Sequence, residues 1–529
     1  MIRVSEIKIP IEKDSQEELE RKIFHLYPLL KNNSYQIVKK SIDARDKSNI
    51  FYVYQVDFNC LNEENILRKY KKLSKSNVIS YHYVGKGEKK LDNSILVVGS
   101  GPCGLFCAYK LAKDGYHPIV LERGEEMEKR IQSVENFFQT NKLNSSSNIQ
   151  FGEGGAGTFS DGKLNTLVKD KSGRMREVFR IFVENGAPED ILYLQNPHIG
   201  TDLLRKVIVN IRNKIIEWGG EFHYSSFMSD IIIENNKVKA VEVNYQDIIP
   251  CSCLVLAIGH SARDTFSLLA EKNIKMVPKN FAVGVRIMHP QKMISESQYG
   301  SKYNLLPPAS YKLVYHATNG RGVYSFCMCP GGYVVNASSE DGLLAINGMS
   351  NYKRDAENAN SAIVVTVSEK DFSDGLMGGV AFQRMLEEKA YEIGNGVIPI
   401  QLLEDFMNDR VSTHFKSVFP VTKGKVSFAN LNVLFSKDIC DALKEAIPYF
   451  GKKIKGFDRG DALLLGVESR TSSPIRILRD EGFEANIKGL YPGGEGAGYA
   501  GGITTSAMDG IKIAEKIEDI YQRVGDNYE

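Results

Sequence analysis

The sequence predicts an α/β chain: a Rossmann-like dinucleotide-binding domain, interrupted by an inserted mixed α+β domain and preceded by a ferredoxin-like βαββαβ module. Three observations predict it. Residues 94–122 read as strand, glycine turn, helix and strand. A second glycine-rich turn at 489–502 is followed by a helix, so the chain returns to the first unit near its end. Residues 1–88 carry their own alternation of apolar strands and amphipathic helices. The boundaries drawn from these patterns are 1–88 for the module, 92–264 for the first part of the dinucleotide-binding domain, 265–460 for the insert and 461–529 for the return.

In the module, Arg3 to Ile9 reads as a strand and Gln16 to Tyr27 as a helix with Leu19, Ile23 and Leu26 on one face. Strands follow at Tyr35 to Asp43 and Ile50 to Phe58, then a helix at Asn62 to Leu73 and a last strand at Val78 to Val84. Phe51, Tyr52, Tyr54 and Phe58 raise RNA stacking as a reading, but the glycines of an RNA-recognition strand are missing, so core packing and a docking surface are expected. Gly85 to Asp92 is read as the linker.

The glycine turn is the centre of the chain. Ile95 to Val98 is short and apolar, as in a strand buried on both faces. Gly99, Gly101 and Gly104 form G-x-G-x-x-G, in which the glycines serve the tight turn, the close approach of a pyrophosphate and helix–strand packing. Pro102 opens a helix whose free N–H groups attract phosphate, Cys103 is a small residue within that turn, and Glu122 ends the second strand where an adenosine ribose is expected. Two further G-x-G-x-x-G matches, from Gly152 and from Gly496, lack a flanking strand–helix–acid context, so the pattern alone is weak and the context carries it.

Asn148 to Lys163 holds five glycines and is read as a cofactor-covering loop anchored by Ile149, Phe151 and Phe159. Thr201 is read as the cap of a helix reaching Trp218. Ile231 to Ile233 and Val238 to Val243 form a hairpin across Asn235–Asn236, and Cys253 to Ile258 a buried strand. The insert mixes strands (Phe281 to Ile287, Val323 to Cys329, Tyr333 to Asn336, Ala362 to Val367) with helices such as Phe382 to Ile393, and has no second glycine fingerprint. Ile503 to Ile520 is the closing helix, its N-terminus aimed at the first turn.

Composition is that of an ordinary globular protein, 42% apolar and 25% charged, with a net charge of +2 and no long basic run. No nucleic-acid partner, membrane or metal site is expected, no signal-like apolar start is read, and the scattered cysteines fit a reducing cytoplasm. Cys251/Cys253 and Cys327/Cys329 are C-x-C pairs without the spacing of a redox C-x-x-C or a zinc site, and Cys327 is read as part of a buried strand.

Four segments carry a resemblance: V-V-G-S-G-P-C-G, F-G-E-G-G-A-G-T-F-S-D-G-K-L, L-V-L-A-I-G-H-S-A-R-D and Y-P-G-G-E-G-A-G-Y-A-G-G-I. Through them the chain resembles glutathione-reductase-type two-dinucleotide-fold flavoproteins, and within these the FAD-dependent dehydrogenases labelled NAD(FAD)-utilising. The resemblance implies FAD on Gly99, Gly101, Pro102, Cys103, Gly104 and Glu122, flanked by Arg123, Arg130, Gly152, Gly154, Gly155, Ala156, Gly157 and Thr158. It implies Ala257 and Gly259 on the adenine side, and Gly494, Glu495, Gly496, Ala497, Gly501, Gly502 and Ile503 around ribityl and flavin. Cys103 stands where such proteins usually have Ala, and Glu495 where many have Asp.

The expected function is therefore an FAD-dependent oxidoreductase acting on a small, anionic or carbonyl-bearing molecule, with Arg470, Ser472 and Ser473 as substrate residues. NADH or NADPH is expected only as a transient donor. Disulfide-reductase activity is not expected, because neither a second glycine fingerprint nor a C-x-x-C is present. The alternative is a flavin-holding or RNA-associated assembly docking through residues 1–88, and either way that module is expected to meet a protein partner.

Overall fold

The computed structural model describes residues 1–77, 79–166 and 168–523. The N-terminal sheet runs Tyr35–Asp43, Phe51–Phe58, Ile2–Pro10, Ser74–Lys75, all antiparallel, with the first strand central beside the third and fourth. That is the ferredoxin-like order. Helices Gln16–Leu26 and Glu63–Lys69 bury Leu19, Ile23 and Ile66 against Ile2, Val4, Val56 and Phe58. Ser15 caps the first of them, its Oγ accepting from Glu18 N at 3.1 Å. Tyr54 and Phe58 lie in this core.

The fourth strand is not at 78–84. It is the short Ser74–Lys75, and Val78 lies outside the described residues. Residues 80–89 are drawn away by the closing helix: Tyr81 Oη donates to Glu515 Oε1 (2.8 Å), Tyr83 Oη to the Glu515 carbonyl (3.0 Å) and Gly87 N to the Glu518 carbonyl (2.9 Å). At its other edge the module bonds the chain's own Tyr193–Gln195 segment through Lys40 (2.7 and 3.0 Å).

The dinucleotide-binding sheet is Rossmann-like. Glu221–His223, Pro118–Leu121, Ser94–Val98, the end of Asp247–Leu256 and Leu490–Pro492 run parallel in that order. The start of Asp247–Leu256 continues antiparallel into the Lys237–Val243 and Met228–Glu234 hairpin. Helices Pro102–Lys113, Thr201–Glu217 and Ile503–Glu518 pack on the parallel part. The first and last of these touch backbone to backbone: a Cβ at Gly510 would stand 2.0 Å from the Cys103 carbonyl oxygen. Thr201 is not the cap of its helix. Gly200 holds that position, and Thr201 Oγ1 donates instead to the Thr158 carbonyl, tying the helix to the glycine-rich loop.

The insert is built on a seven-stranded sheet with Asn358–Val367 and Phe281–Pro290 at its middle, covered by helices Gly378–Ile393 and Lys437–Gly451. Leu463–Glu468, expected with the return, pairs here with Phe281–Pro290 and Ile398–Leu402. Its six residues are all buried, so both faces need the insert's cover. The return begins at Ile475–Ile477, which pairs with Met276–Pro278 beside the junction.

Candidate functional site

A cavity of about 1580 Å³ lies between the parallel sheet, the glycine-rich loop and the insert. It exceeds the usual few hundred to about 1,000 Å³ of a small-ligand pocket, so it has room for a dinucleotide and a second molecule. Two helices point their N-termini into it. Gly101 and Pro102 open one, Gly502 and Ile503 the other, and all four line the cavity. Both ends offer unpaired N–H groups and positive dipole ends to anionic oxygens.

The walls leave space shaped for a ligand. A Cβ built at Gly259, Gly501 or Gly502 meets nothing within 4 Å, and all three line the cavity. Elsewhere the glycines are needed by the protein itself: a Cβ at Gly104 would lie 1.9 Å from the Gly99 carbonyl oxygen, at the strand–helix crossing. This contrast gives a test. Gly501→Val is expected to leave stability within about 0.5 kcal/mol of the parent, as an open surface site should. Flavin affinity should fall by tenfold or more, read by fluorescence titration of the apoprotein; unchanged affinity would remove Gly501 from the cradle.

Most of the residues that the motifs pointed to are gathered here. Gly99, Gly101, Pro102, Cys103, Glu122, Arg123, Gly152, Gly155, Ala156, Gly157, Ala257, Gly259, Glu495, Gly501, Gly502 and Ile503 all line the cavity. Gly104, Arg130, Gly154, Thr158, Gly494, Gly496 and Ala497 do not line it and act from behind. Gly494 N donates to Asp509 Oδ2 (2.8 Å), whose carboxylate is clamped by Arg479 (2.8 and 2.9 Å). Ala497 is fully buried, and Gly496 lies against the backbone of Gly259.

Three expected roles change. Arg130 does not flank the dinucleotide. It is completely buried, and its guanidinium donates to the carbonyls of Asn148 (3.0 Å), Ile149 (2.9 Å), Glu153 (2.5 Å) and Gly155 (3.0 Å) and to Thr158 Oγ1 (2.8 Å). It is the scaffold of the loop, which is why a stretch so rich in glycine is ordered. Glu122 lines the cavity, yet its carboxylate already accepts four bonds: from Ser100 N (2.9 Å) and Oγ (2.7 Å), Gly124 N (2.9 Å) and Gly152 N (3.0 Å). It joins the first glycine turn to the loop, and a ribose hydroxyl would have to share these oxygens.

Arg470 is the third. It lines the cavity, but its fork is held by Glu387, with Nε and Nη2 at 2.9 and 2.8 Å from the carboxylate. Arg263 grips the same carboxylate (2.7 and 2.9 Å), and Arg470 Nη1 reaches Ser339 Oγ (2.5 Å) and Ser261 Oγ (3.1 Å). Burial pushes the Glu387 carboxyl up, but the two guanidinium groups outweigh it and hold it well below the usual range. Of the neighbouring hydroxyls, Ser472 lines the cavity; Ser473 is buried and bonds the carbonyls of Ile475 and Gly496.

The far end of the cavity was not read from the motifs. It is walled by Tyr311, Tyr324, Cys327, Met328, Asn347 and Glu468 from the insert, with Lys163 and His260 facing them. Lys163 Nζ donates to the Met328 carbonyl and lies 3.2 Å from Asp161, which Arg354 also clasps. His260 Nδ1 is 3.2 Å from Glu495 Oε1. Burial pushes the Glu468 carboxyl up despite Arg286 Nε at 2.9 Å. Lys163 and His260 stood inside two of the resembling segments, but only the third dimension shows which insert residues they meet. Val38 and Lys39 of the N-terminal module also line the cavity, alongside residues 191–197.

Residues 280–471 match a family model described as FAD-dependent protein, C-terminal domain-like, and residues 97–149 one described as NAD(P)-binding Rossmann-like domain. A protein of Clostridium beijerinckii described as uncharacterized is 45% identical over 527 residues, covering 98% of each chain. The chain belongs to the same family as that protein, and its residues 280–471 carry the C-terminal domain of FAD-dependent proteins. The cofactor of this flavoprotein is FAD. The two helix ends and the open glycine walls fit such a dinucleotide. Residues 1–59 match a domain of unknown function. Among solved structures, the flavoprotein is similar to L-proline dehydrogenase from P. horikoshii (14% identity, 82% of this chain and 94% of that one, TM-score 0.35). It is also similar to glycine oxidase from Bacillus cereus (12% identity, 82% and 99%, TM-score 0.35).

Proposed function

We propose that this flavoprotein is a dehydrogenase that oxidises or reduces a small molecule at the insert end of the cavity. The observation that supports this reading most is the continuity of that cavity. It runs from the two helix N-termini, suited to pyrophosphate and flavin, to a second wall carrying Lys163, His260, Tyr324 and Glu468. FAD, when bound, supplies a carrier that takes up and gives back an electron pair.

The protein's own tasks follow from its residues. Gly101 and the start of Pro102–Lys113 would hold the pyrophosphate, and the start of Ile503–Glu518 would set its positive end against the flavin. Gly259, Gly501 and Gly502 would leave the ring its space. Arg470 is committed to Glu387; Lys163, paired with Asp161, lines the cavity beside the second wall and would be the cation nearest an anionic substrate there. Nicotinamide, if used, reaches the same wall transiently. We place the protein in the cytoplasm, with its N-terminal module serving the cavity mouth through Val38 and Lys39 and meeting a protein partner by its remaining surface.

Purified protein is expected to be yellow and to release FAD on denaturation. Stopped-flow mixing with NADH, NADPH and candidate substrates should bleach the flavin bands. A colourless protein that takes up no FAD would end the reading, and a flavin that no reductant of these classes bleaches would end the enzymatic part of it.

A further inference from the structure

Cys327 and Cys329 are set apart from the other cysteines by where the insert puts them. They end the strand Gly322–Cys329, whose pairing with Asn358–Val367 slips between Phe326 and Cys329. At the slip Cys327 takes φ +44°, a left-handed conformation unusual for a residue with a side chain. Cys327 is half-buried and lines the cavity; Cys329 is fully buried behind it, with its Sγ donating to the Cys327 carbonyl at 3.4 Å. Cations close the other sides. Arg286 Nη1 donates to the Cys327 carbonyl (3.1 Å) and Lys163 Nζ to the Met328 carbonyl.

The charges around Cys327 sort the thiols. The hydrogen bond from Cys329 lowers its pKa most, burial opposes, and Lys163 and Arg286 add to the lowering against Asp161, bringing it to about 5. Glu468, three strands along the same sheet, is the other acid acting on it. Burial pushes the thiols of Cys60, Cys103, Cys107, Cys251, Cys253 and Cys440 up, and Cys329 goes up because it keeps the proton it shares.

We propose that Cys327 and Cys329 form a thiol–disulfide exchange pair in the cavity wall, taking a small disulfide as substrate. Cys327 attacks one substrate sulfur as thiolate, forming a mixed disulfide and expelling the other half as a thiolate. The Cys329 sulfur then attacks Cys327 Sγ, forming the Cys327–Cys329 disulfide. The second half leaves as a thiol, carrying the Cys329 proton. One substrate disulfide is reduced and one protein dithiol oxidised, so atoms and electrons balance without a further reagent. The sequence has no C-x-x-C here; the two thiols are instead two residues apart at the end of one strand, with Cys329 Sγ held at the Cys327 carbonyl (3.4 Å). The proposal does not rest on the flavin reading.

The probe is 5,5′-dithiobis(2-nitrobenzoate), an aromatic disulfide, mixed with the reduced, native, FAD-retaining protein. At about pH 6 an ordinary thiol is about 0.3% thiolate, so Cys327 holds roughly 300-fold more. Its lower basicity takes back about 40-fold in nucleophilicity, leaving a reaction about tenfold faster than that of glutathione. The native protein should release two thiol equivalents per reagent consumed and end lighter by two hydrogens, with a rate nearly flat from pH 8 to 6 and falling below. Cys329→Ser should release one equivalent and retain the other half of the reagent. Cys327→Ser should lose the fast phase.

Absence of a fast phase in the native protein, its survival in Cys327→Ser, or two equivalents from Cys329→Ser would each overturn the proposal. Peptide mapping after brief iodoacetamide treatment of the native protein at about pH 6 needs no variant. Cys327 should be labelled first, and first labelling at any other cysteine would overturn the assignment as well.

Discussion

Glu387→Gln is expected to destabilise the protein by about 3–5 kcal/mol at neutral pH, the usual cost of removing one partner from a buried ionic cluster. Glu387 is fully buried on helix Gly378–Ile393 and is the common anion of Arg263 and Arg470, themselves nearly inaccessible. Glutamine keeps the shape but leaves two buried guanidinium groups with one neutral amide between them. Glu340 meets Arg263 at 2.7 Å but Arg470 only at 4.0 Å, so it compensates one of the two. Denaturant titration of both proteins reads the difference.

The pH dependence has a definite sign. The folded-state pKa of Glu387 lies below its ordinary value of 4.5, so its contribution is complete above that value and is lost as pH falls through it toward the folded pKa. The parent should lose stability below about pH 4.5 more steeply than the variant. Equal stabilities at neutral pH, or parallel acid limbs, would show that the cluster is not held by this charge. Because Arg470 holds Ser261 at the cavity wall, the variant should also bind FAD more weakly.

What the sequence made legible was local. The strand–turn–helix–strand of 94–122, the ferredoxin-like order of the module and the closing helix from Ile503 are each written in a short period of apolar residues and a fixed glycine spacing. The second glycine-rich segment was legible as a wall of the site for the same reason. Roles that depend on partners distant in sequence were not. Arg470 beside three hydroxyls looks like a carboxylate receptor, and nothing near it in the chain announces Glu387. Arg130 sits on an amphipathic helix, and only the folded loop shows that its five donors point inward. Cys327 read as packing because its strand looks regular, whereas the slip against Asn358–Val367 is a property of the pair of strands. The last strand of the module failed for a related reason: Tyr81 and Tyr83 fit a strand pattern, but Glu515 on the closing helix offered both of them partners.

Arg130→Met is expected to abolish stable FAD retention while leaving most of the fold in place. The side chain donates to four loop carbonyls and one threonine hydroxyl between Asn148 and Thr158; of these carbonyls that of Gly155 is also met by Thr158, and the guanidinium lies 4.7 Å from the centre of the Phe159 ring. Methionine fills similar space but donates nothing. Each buried carbonyl left without a partner costs about 1–3 kcal/mol, so the loop gains more by opening to water than by staying. Opening moves Gly152, Gly155 and Gly157 off the cavity wall and frees Gly152 N from Glu122. A loss of about 3 kcal/mol in the bound conformation weakens FAD binding by more than about 100-fold.

Arg130→Lys separates geometry from charge. A lysine keeps the cation but reaches only part of the five acceptors, so it should fall between parent and methionine. Flavin content after gel filtration and FAD titration of the apoproteins read the series, and limited proteolysis between 148 and 158 reads the loop. Methionine and parent proteins with equal flavin content and equal protection of that segment would show that the loop is ordered by something other than Arg130.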